Sequence, residues 1–172
     1  QTVMLIAAYF GEQEVNWGSL SEKQTGLILS IMIIQLIAIV GAILTARCSE
    51  KFGNLPVLIA LNLIWVSLCL YAYFVETPIQ FYIAAGFVGL SMGGIQSLAR
   101  STYSKFIPKT DDTASFFSFY STSQMTGIVL GMLLFATIDQ VTGSMRNSVL
   151  FFLSFFLIGA FLLIRLHRKS TV

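Results

Sequence analysis

Six side chains could hold a polar molecule within otherwise apolar sequence: Gln96, Tyr120, Ser121, Gln124, Gln35 and Tyr9. Their amides and hydroxyls donate and accept hydrogen bonds without carrying charge, so the chemistry on offer is reversible binding. A side-chain amide in hydrocarbon is costly unless it meets protein or a watery cavity. At helical spacing Gly89, Gly93, Gln96 and Arg100 share one face, and Tyr120, Gln124, Gly127 and Gly131 share another. Ser118, Ser121, Thr122, Ser123 and Thr126 surround the second face. Gly89-x-x-x-Gly93 and Gly127-x-x-x-Gly131 are both small-residue patterns that let a neighbouring backbone approach, so these four glycines are expected to pack helices. Two plainer roles compete. Ser and Thr bond their own helix carbonyls, and Arg100, at the end of its apolar run, can anchor at an interface.

Covalent and metal chemistry find little support. Gly89-Leu90-Ser91-Met92-Gly93 has the letters of a nucleophile elbow, but that motif needs a strand-to-helix turn with His and Asp nearby. Ser91 falls inside an apolar run, and the one His, His167, lies in the tail. Cys48 and Cys69 fall at different depths and read as structural. No metal site, phosphate-binding loop or cofactor is expected. A net charge of +2, with no basic stretch interleaved with aromatics, gives no footprint for nucleic acid. An enzyme is not expected.

The elements that must position the six residues are five long apolar runs, at 25–46, 55–75, 79–99, 117–138 and 149–164. None contains Asp, Glu, Lys, Arg or His. About 20 apolar helical residues cross a bilayer core about 30 Å thick. Apolar residues make up 56% of the chain and charged residues 10%, against about a quarter charged in soluble domains. The fold class is therefore an all-α membrane protein with the lipid bilayer as solvent. It is expected to form a single transmembrane helical domain over residues 1–172. Residues 1–11 read as a span cut in its middle, so the chain is expected to be a fragment: a truncated N-terminal helix followed by five full transmembrane helices.

Loop charge orients the bundle. Arg47, Lys51, Arg100, Lys105, Lys109, Arg165, Arg168 and Lys169 fall in one set of loops, and Lys23 and Arg146 in the other. Basic residues are enriched on the cytoplasmic side, which places the first set and the C-terminus there. Gly53-Asn54 with Pro56 marks a turn, Pro78 suits a first helical turn, and Asp111 and Asp112 suit a helix N-terminus. Trp17, Tyr71, Tyr73, Tyr82 and Tyr103 fall near expected interfaces. The span at 149–164, rich in Phe, reads as an outer lipid-facing helix. The span at 55–75, with Asn62 and Ser67 as exceptions, reads as peripheral too. The spans at 79–99 and 117–138 carry the polar faces and are expected to line protein or a cavity, with the Gln35 span intermediate.

Gly93-Gly94-Ile95-Gln96-Ser97-Leu98-Ala99-Arg100-Ser101, Lys105-Phe106-Ile107-Pro108-Lys109 and Phe116-Phe117-Ser118-Phe119-Tyr120 form the most specific text in the chain. It resembles the C-terminal half of a major facilitator superfamily transporter. The branch is similar to the fungal vacuolar amino-acid effluxer linked to autophagy, which has many bacterial members. The start, to Tyr9, resembles that branch's seventh helix, so the likeness covers essentially the whole chain. Glu50-Lys51-Phe52-Gly53 resembles the core of the superfamily's cytoplasmic gating loop, with Ala46 in place of its leading Gly and Asn54-Leu55 in place of its basic pair. Met125, Ser115 and Met132 stand where the branch often has Lys, an acidic residue and Pro.

The resemblance implies a secondary transporter that works by alternating access between two six-helix halves. The N-terminal half would be a partner absent from this chain, and the ninth and twelfth helices would be peripheral. A small polar solute, such as an amino acid, would bind at Gln96, Tyr120, Ser121, Gln124, Gln35 and Tyr9. A bacterial cytoplasmic (inner) membrane is the expected location. No full span holds a carboxylate, so any proton coupling would use the missing half or Glu12. The competing expectation is a membrane interaction or assembly protein that does not transport. The segment 100–115 reads as a plain connector, with a short surface helix as the alternative.

Overall fold

The computed structural model describes residues 2–108 and 112–170. Among them the chain forms six helices: α1 (Thr2–Glu14), α2 (Leu20–Phe52), α3 (Asn54–Tyr73), α4 (Pro78–Phe106), α5 (Thr113–Thr142) and α6 (Met145–Ser170). The described fold is an all-α bundle, and α2 to α6 are long and apolar enough to cross a membrane.

Local chemistry sets the helix ends. The Ser19 hydroxyl accepts the Glu22 amide at the start of α2. Thr77 and Gln80 form a capping box at α4, with Pro78 in its first turn. Asp112 accepts the Ser115 amide at α5. Gly53, with φ 86°, separates α2 from α3, and Gly143, with φ 62°, closes α5; both conformations favour glycine. The helices outrun the apolar segments. Segment 25–46 becomes the 33-residue α2, about 50 Å long against a hydrocarbon layer of about 30 Å. Its polar ends keep their backbone bonds in water as readily as in lipid.

The 46–57 segment is accordingly not a loop. Glu50 and Lys51 lie in the last turn of α2, and Cys48 lies in α2 as well. The 100–115 segment also changes: α4 continues to Phe106, so the connection shortens to residues 107–112. Lys109 and Asp111 lie outside the described residues. The span at 55–75 is corrected as well. Rather than peripheral, α3 is packed between α4 and α6 and carries nine buried residues, among them Leu61, Asn62, Trp65 and Leu68. Trp65 stacks on Phe156 of α6 with centroids 5.6 Å apart. Helix α6 is exposed over most of its length.

Three apolar clusters run along the bundle. Phe10, Val15, Val75, Phe81, Phe135 and Met145 pack at one end, near Arg146. Ile34, Trp65, Leu68, Ala85 and Val88 fill the middle. Val57, Leu58, Leu61 and Leu98 pack at the other end, near Asn54. Helix α5 is held differently: Phe135 is its one buried residue, and it lies in the half of the helix nearer Arg146.

Candidate functional site

Helix α4 presents different faces along its length. In one half it meets the backbone of α2. A Cβ on Gly89 would strike the Ile34 carbonyl, and one on Gly93 would strike the Ala38 carbonyl. Gly41 of α2 lies equally close to the Leu90 carbonyl. Further along, the contact moves round α4: Thr45 of α2 lies against Gly94, about 100° from Gly93 on the helix. Because α2 drifts across α4 in this way, it leaves Gln96 and Arg100 uncovered, and both are exposed.

The uncovered face looks toward α5. The Arg100 guanidinium lies 6.0 Å from the centre of the Tyr120 ring. Tyr103 lies 4.9 Å from the same ring, and its hydroxyl donates to the Phe116 carbonyl at 3.0 Å. Tyr103 thus fixes the start of α5 and the position of Tyr120. The helices run antiparallel, since Phe81 of α4 and Phe135 of α5 share the cluster near Arg146. Gln96 lies one turn beyond Arg100 toward the middle of the bundle, and Gln124 one turn beyond Tyr120. The two amides therefore occupy matching depths, about 6 Å from their helix midpoints toward the Asn54 end. On α5 the half-buried stripe is Phe117, Tyr120, Ser121, Gln124, Ile128 and Gly131.

The other expected residues are placed elsewhere. Gln35 sits at the centre of α2 on an exposed stripe with Ile28, Ile31 and Ile39. Tyr9 is exposed on α1, beside Phe10 of the Arg146-end cluster. A Cβ on Gly127 would meet nothing within 4 Å, so Gly127 packs no helix of the described chain. Thr126 donates to the Thr122 carbonyl of its own helix at 2.9 Å. Ser91 lies in mid-helix, fully buried, so the elbow letters around it form no strand-to-helix turn. Cys48 is an exposed thiol and Cys69 a buried one.

Polar clusters tie the two ends of the bundle. At one end buried Asn54, in the first turn of α3, gathers three helices. Ser49 of α2 donates to its Oδ1 at 2.7 Å, and Lys105 of α4 donates to the same oxygen at 3.0 Å. Its Nδ2 donates to Thr102 at 3.2 Å and to Ser101 at 3.4 Å. Glu50 and Lys51, from the expected gating motif, stay exposed, with Lys51 over the neighbouring Phe52 ring. Gly53 supplies the turn that delivers Asn54. At the other end Arg146 donates to Glu14 of α1 at 2.9 Å, to the Tyr73 carbonyl at 2.8 Å and to the Val75 carbonyl at 3.1 Å. The Asn16 amide donates to the Glu76 carbonyl at 3.1 Å, and Trp17 donates to the Gly11 carbonyl at 2.7 Å.

Between these ends lies a cavity of about 80 Å³, lined by residues such as Ile6, Phe10, Trp65, Cys69, Phe81 and Val88. Its walls are almost wholly apolar, unlike the Gln96–Gln124 face, so it is poorly suited to a polar solute.

A family model described as "Vacuole effluxer Atg22 like" matches residues 1–171. The chain belongs to that family. This Atg22-like chain is 33% identical over 149 residues to "Uncharacterized MFS-type transporter YxiO" of Bacillus subtilis, covering 86% of the chain and 35% of that protein. It is 34% identical over 95 residues to "Autophagy-related protein 22" of Yarrowia lipolytica, covering 54% of the chain and 16% of that protein. It is 25% identical over 171 residues to the protein of the same name from Pichia angusta, covering 92% and 29%. The chain thus spans about a third or less of the length of these curated relatives. No solved structure matches it.

Sequence reasoning about this Atg22-like chain missed Asn54 and Arg146. Both left a signal. Asn54 directly follows a glycine, where a polar side chain can reach back to the preceding helix. Arg146 is a basic residue in the loop set rich in Glu, with Glu14 and Glu76 available as partners.

Proposed function

We propose that the chain is the C-terminal half of a secondary transporter that moves a small polar solute, such as an amino acid, by alternating access. A six-helix N-terminal half completes the cavity. The observation that carries this reading is the contact of Arg100 on α4 with the Tyr120 ring on α5, from which Gln96 and Gln124 each lie one helical turn further into the bundle. Amides and hydroxyls bind a polar solute firmly enough to select it and loosely enough to release it. The two ends support the same reading. The Arg146 end is pinned through α1, α6 and the α3–α4 turn, while at the other end α5 meets α4 through aromatic rings. Rocking of one half against the other needs a firm body and a face able to open.

The loop charges support a cytoplasmic C-terminus, and the bacterial relative supports a bacterial cytoplasmic membrane. The solute face then opens toward the cytoplasm. Flux through the protein with both halves, reconstituted in vesicles, tests the reading. Gln96→Ala and Gln124→Ala each lower flux by about tenfold or more, as expected for lost hydrogen bonds to the solute. Unchanged flux in both variants removes the site.

A further inference from the structure

Among the described residues Arg100 is the charged one that shares the α4 face of Gln96 and touches α5. The ion pairs between described residues join Lys23 to Glu12, and Arg146 to Glu14 and Glu76. Among the described residues no carboxylate pairs with Arg100. Its guanidinium instead rests against Tyr120, a ring fixed in turn by Tyr103. A cation held against a ring keeps N–H donors to offer, and the planar fork of Arg matches the two oxygens of a carboxylate. A residue serving only as an interfacial anchor would extend along its own helix into the headgroups. Arg100 reaches across to the neighbouring helix, to the ring one turn below Gln124.

We propose that Arg100 is the anion-recognising residue of the α4–α5 face: it takes the carboxylate of the solute, while Gln96 and Gln124 hold the solute's polar remainder deeper in the bundle. The assignment rests on the transport reading above and adds the chemistry by which the site selects. Tyr120 has a positioning role here, since its ring holds the guanidinium aimed at the face when no solute is present. The off-centre depth of the amides follows from the same geometry. A solute tied to Arg100 and reaching one turn inward sits nearer the Asn54 end than the helix midpoints.

The test uses the protein with both halves in vesicles. The probes are alanine, lactate and succinate, each compared with its carboxamide for binding and flux. The wild type is expected to prefer at least one carboxylate to its carboxamide. Arg100→Gln raises the KM of that carboxylate by about tenfold or more, the loss of a charge-assisted hydrogen bond, and leaves the carboxamide within about twofold. Arg100→Lys keeps the charge without the fork and falls between the two; it also carries the test if Arg100→Gln does not assemble. The proposal is overturned if the wild type prefers none of the three carboxylates, or if Arg100→Gln weakens acid and amide alike. It is overturned too if the effect appears with phosphatidylglycerol and vanishes in phosphatidylcholine, because Arg100 then serves the lipid surface. Flux of a carboxylate solute that depends on Gln96 and Gln124 but not on Arg100 sinks this proposal alone. Absence of binding and flux for every solute sinks the transport reading with it.

Discussion

Gly89-x-x-x-Gly93 on α4 and Gly127-x-x-x-Gly131 on α5 share a motif and little else. The first pair lies against carbonyls of α2, with no room for a methyl group. At Gly127 the space is open. The contrast extends to the whole helices. Helix α4 buries eight residues, from Phe81 to Thr102, whereas α5 buries Phe135 alone. A small-residue motif therefore permits close approach but does not summon a partner; the surrounding side chains decide whether one arrives. Here the firm α2–α4 seam carries the face that bears Gln96 and Arg100, and the loosely held α5 brings Tyr120 to it.

Substitutions along the two motifs break or sharpen that contrast. Gly93→Ala has the largest expected effect, because the obstacle is the Ala38 backbone and cannot rotate aside. It should cost about 1–3 kcal/mol of stability in detergent unfolding. Arg146→Gln comes next, at about 1–2 kcal/mol, since it removes a charged hub and leaves the Tyr73 and Val75 carbonyls without their donor. Asn54→Ala should cost about 1 kcal/mol and loosen the junction of α2, α3 and α4, seen as faster hydrogen exchange at Thr102 and Lys105. Gly127→Ala should shift the stability of this chain by less than about 0.5 kcal/mol. A loss as large as that of Gly93→Ala would erase the distinction between the two motifs.

The smallest effect is one of pH. Hydrogen bonds from the Ser115 hydroxyl and amide hold the Asp112 carboxyl below its ordinary value. A depressed carboxylate pKa gives stability that is complete above the unfolded value and is lost as pH falls through the folded one. The first turn of α5 should therefore stay capped through the ordinary carboxylate range and fray only in stronger acid. Amide exchange at Ser115 reads this directly; fraying at neutral pH would contradict it.

Some of this was legible in the sequence and some was not, for physical reasons. The five spans could be read because long charge-free runs have one favourable solvent. Pro78 and Asp112 marked helix starts because their backbone chemistry is local. The place of α3 could not be read from polarity. Leu61 and Trp65, buried against protein, and Leu63, exposed on the outside, are all apolar, and hydrocarbon and a protein core select alike. Counting loop charges treated Arg146 as a marker of orientation, when it is a hub. The exposure of Gln96 and Arg100 depended on α2 drifting off α4, a crossing that no periodicity within one helix encodes. Gln35 and Tyr9 are polar as Gln96 and Gln124 are, and lie on other faces.

Thiol labelling at position 96 tests the central claim most directly. The protein with both halves, carrying Gln96→Cys and lacking Cys48, is treated in vesicles with a membrane-impermeant maleimide, with and without the transported solute. An aqueous solute face predicts rapid labelling that saturating solute slows. A position 96 that stays unlabelled from both sides of the membrane, or labels at a rate indifferent to solute, would contradict the account.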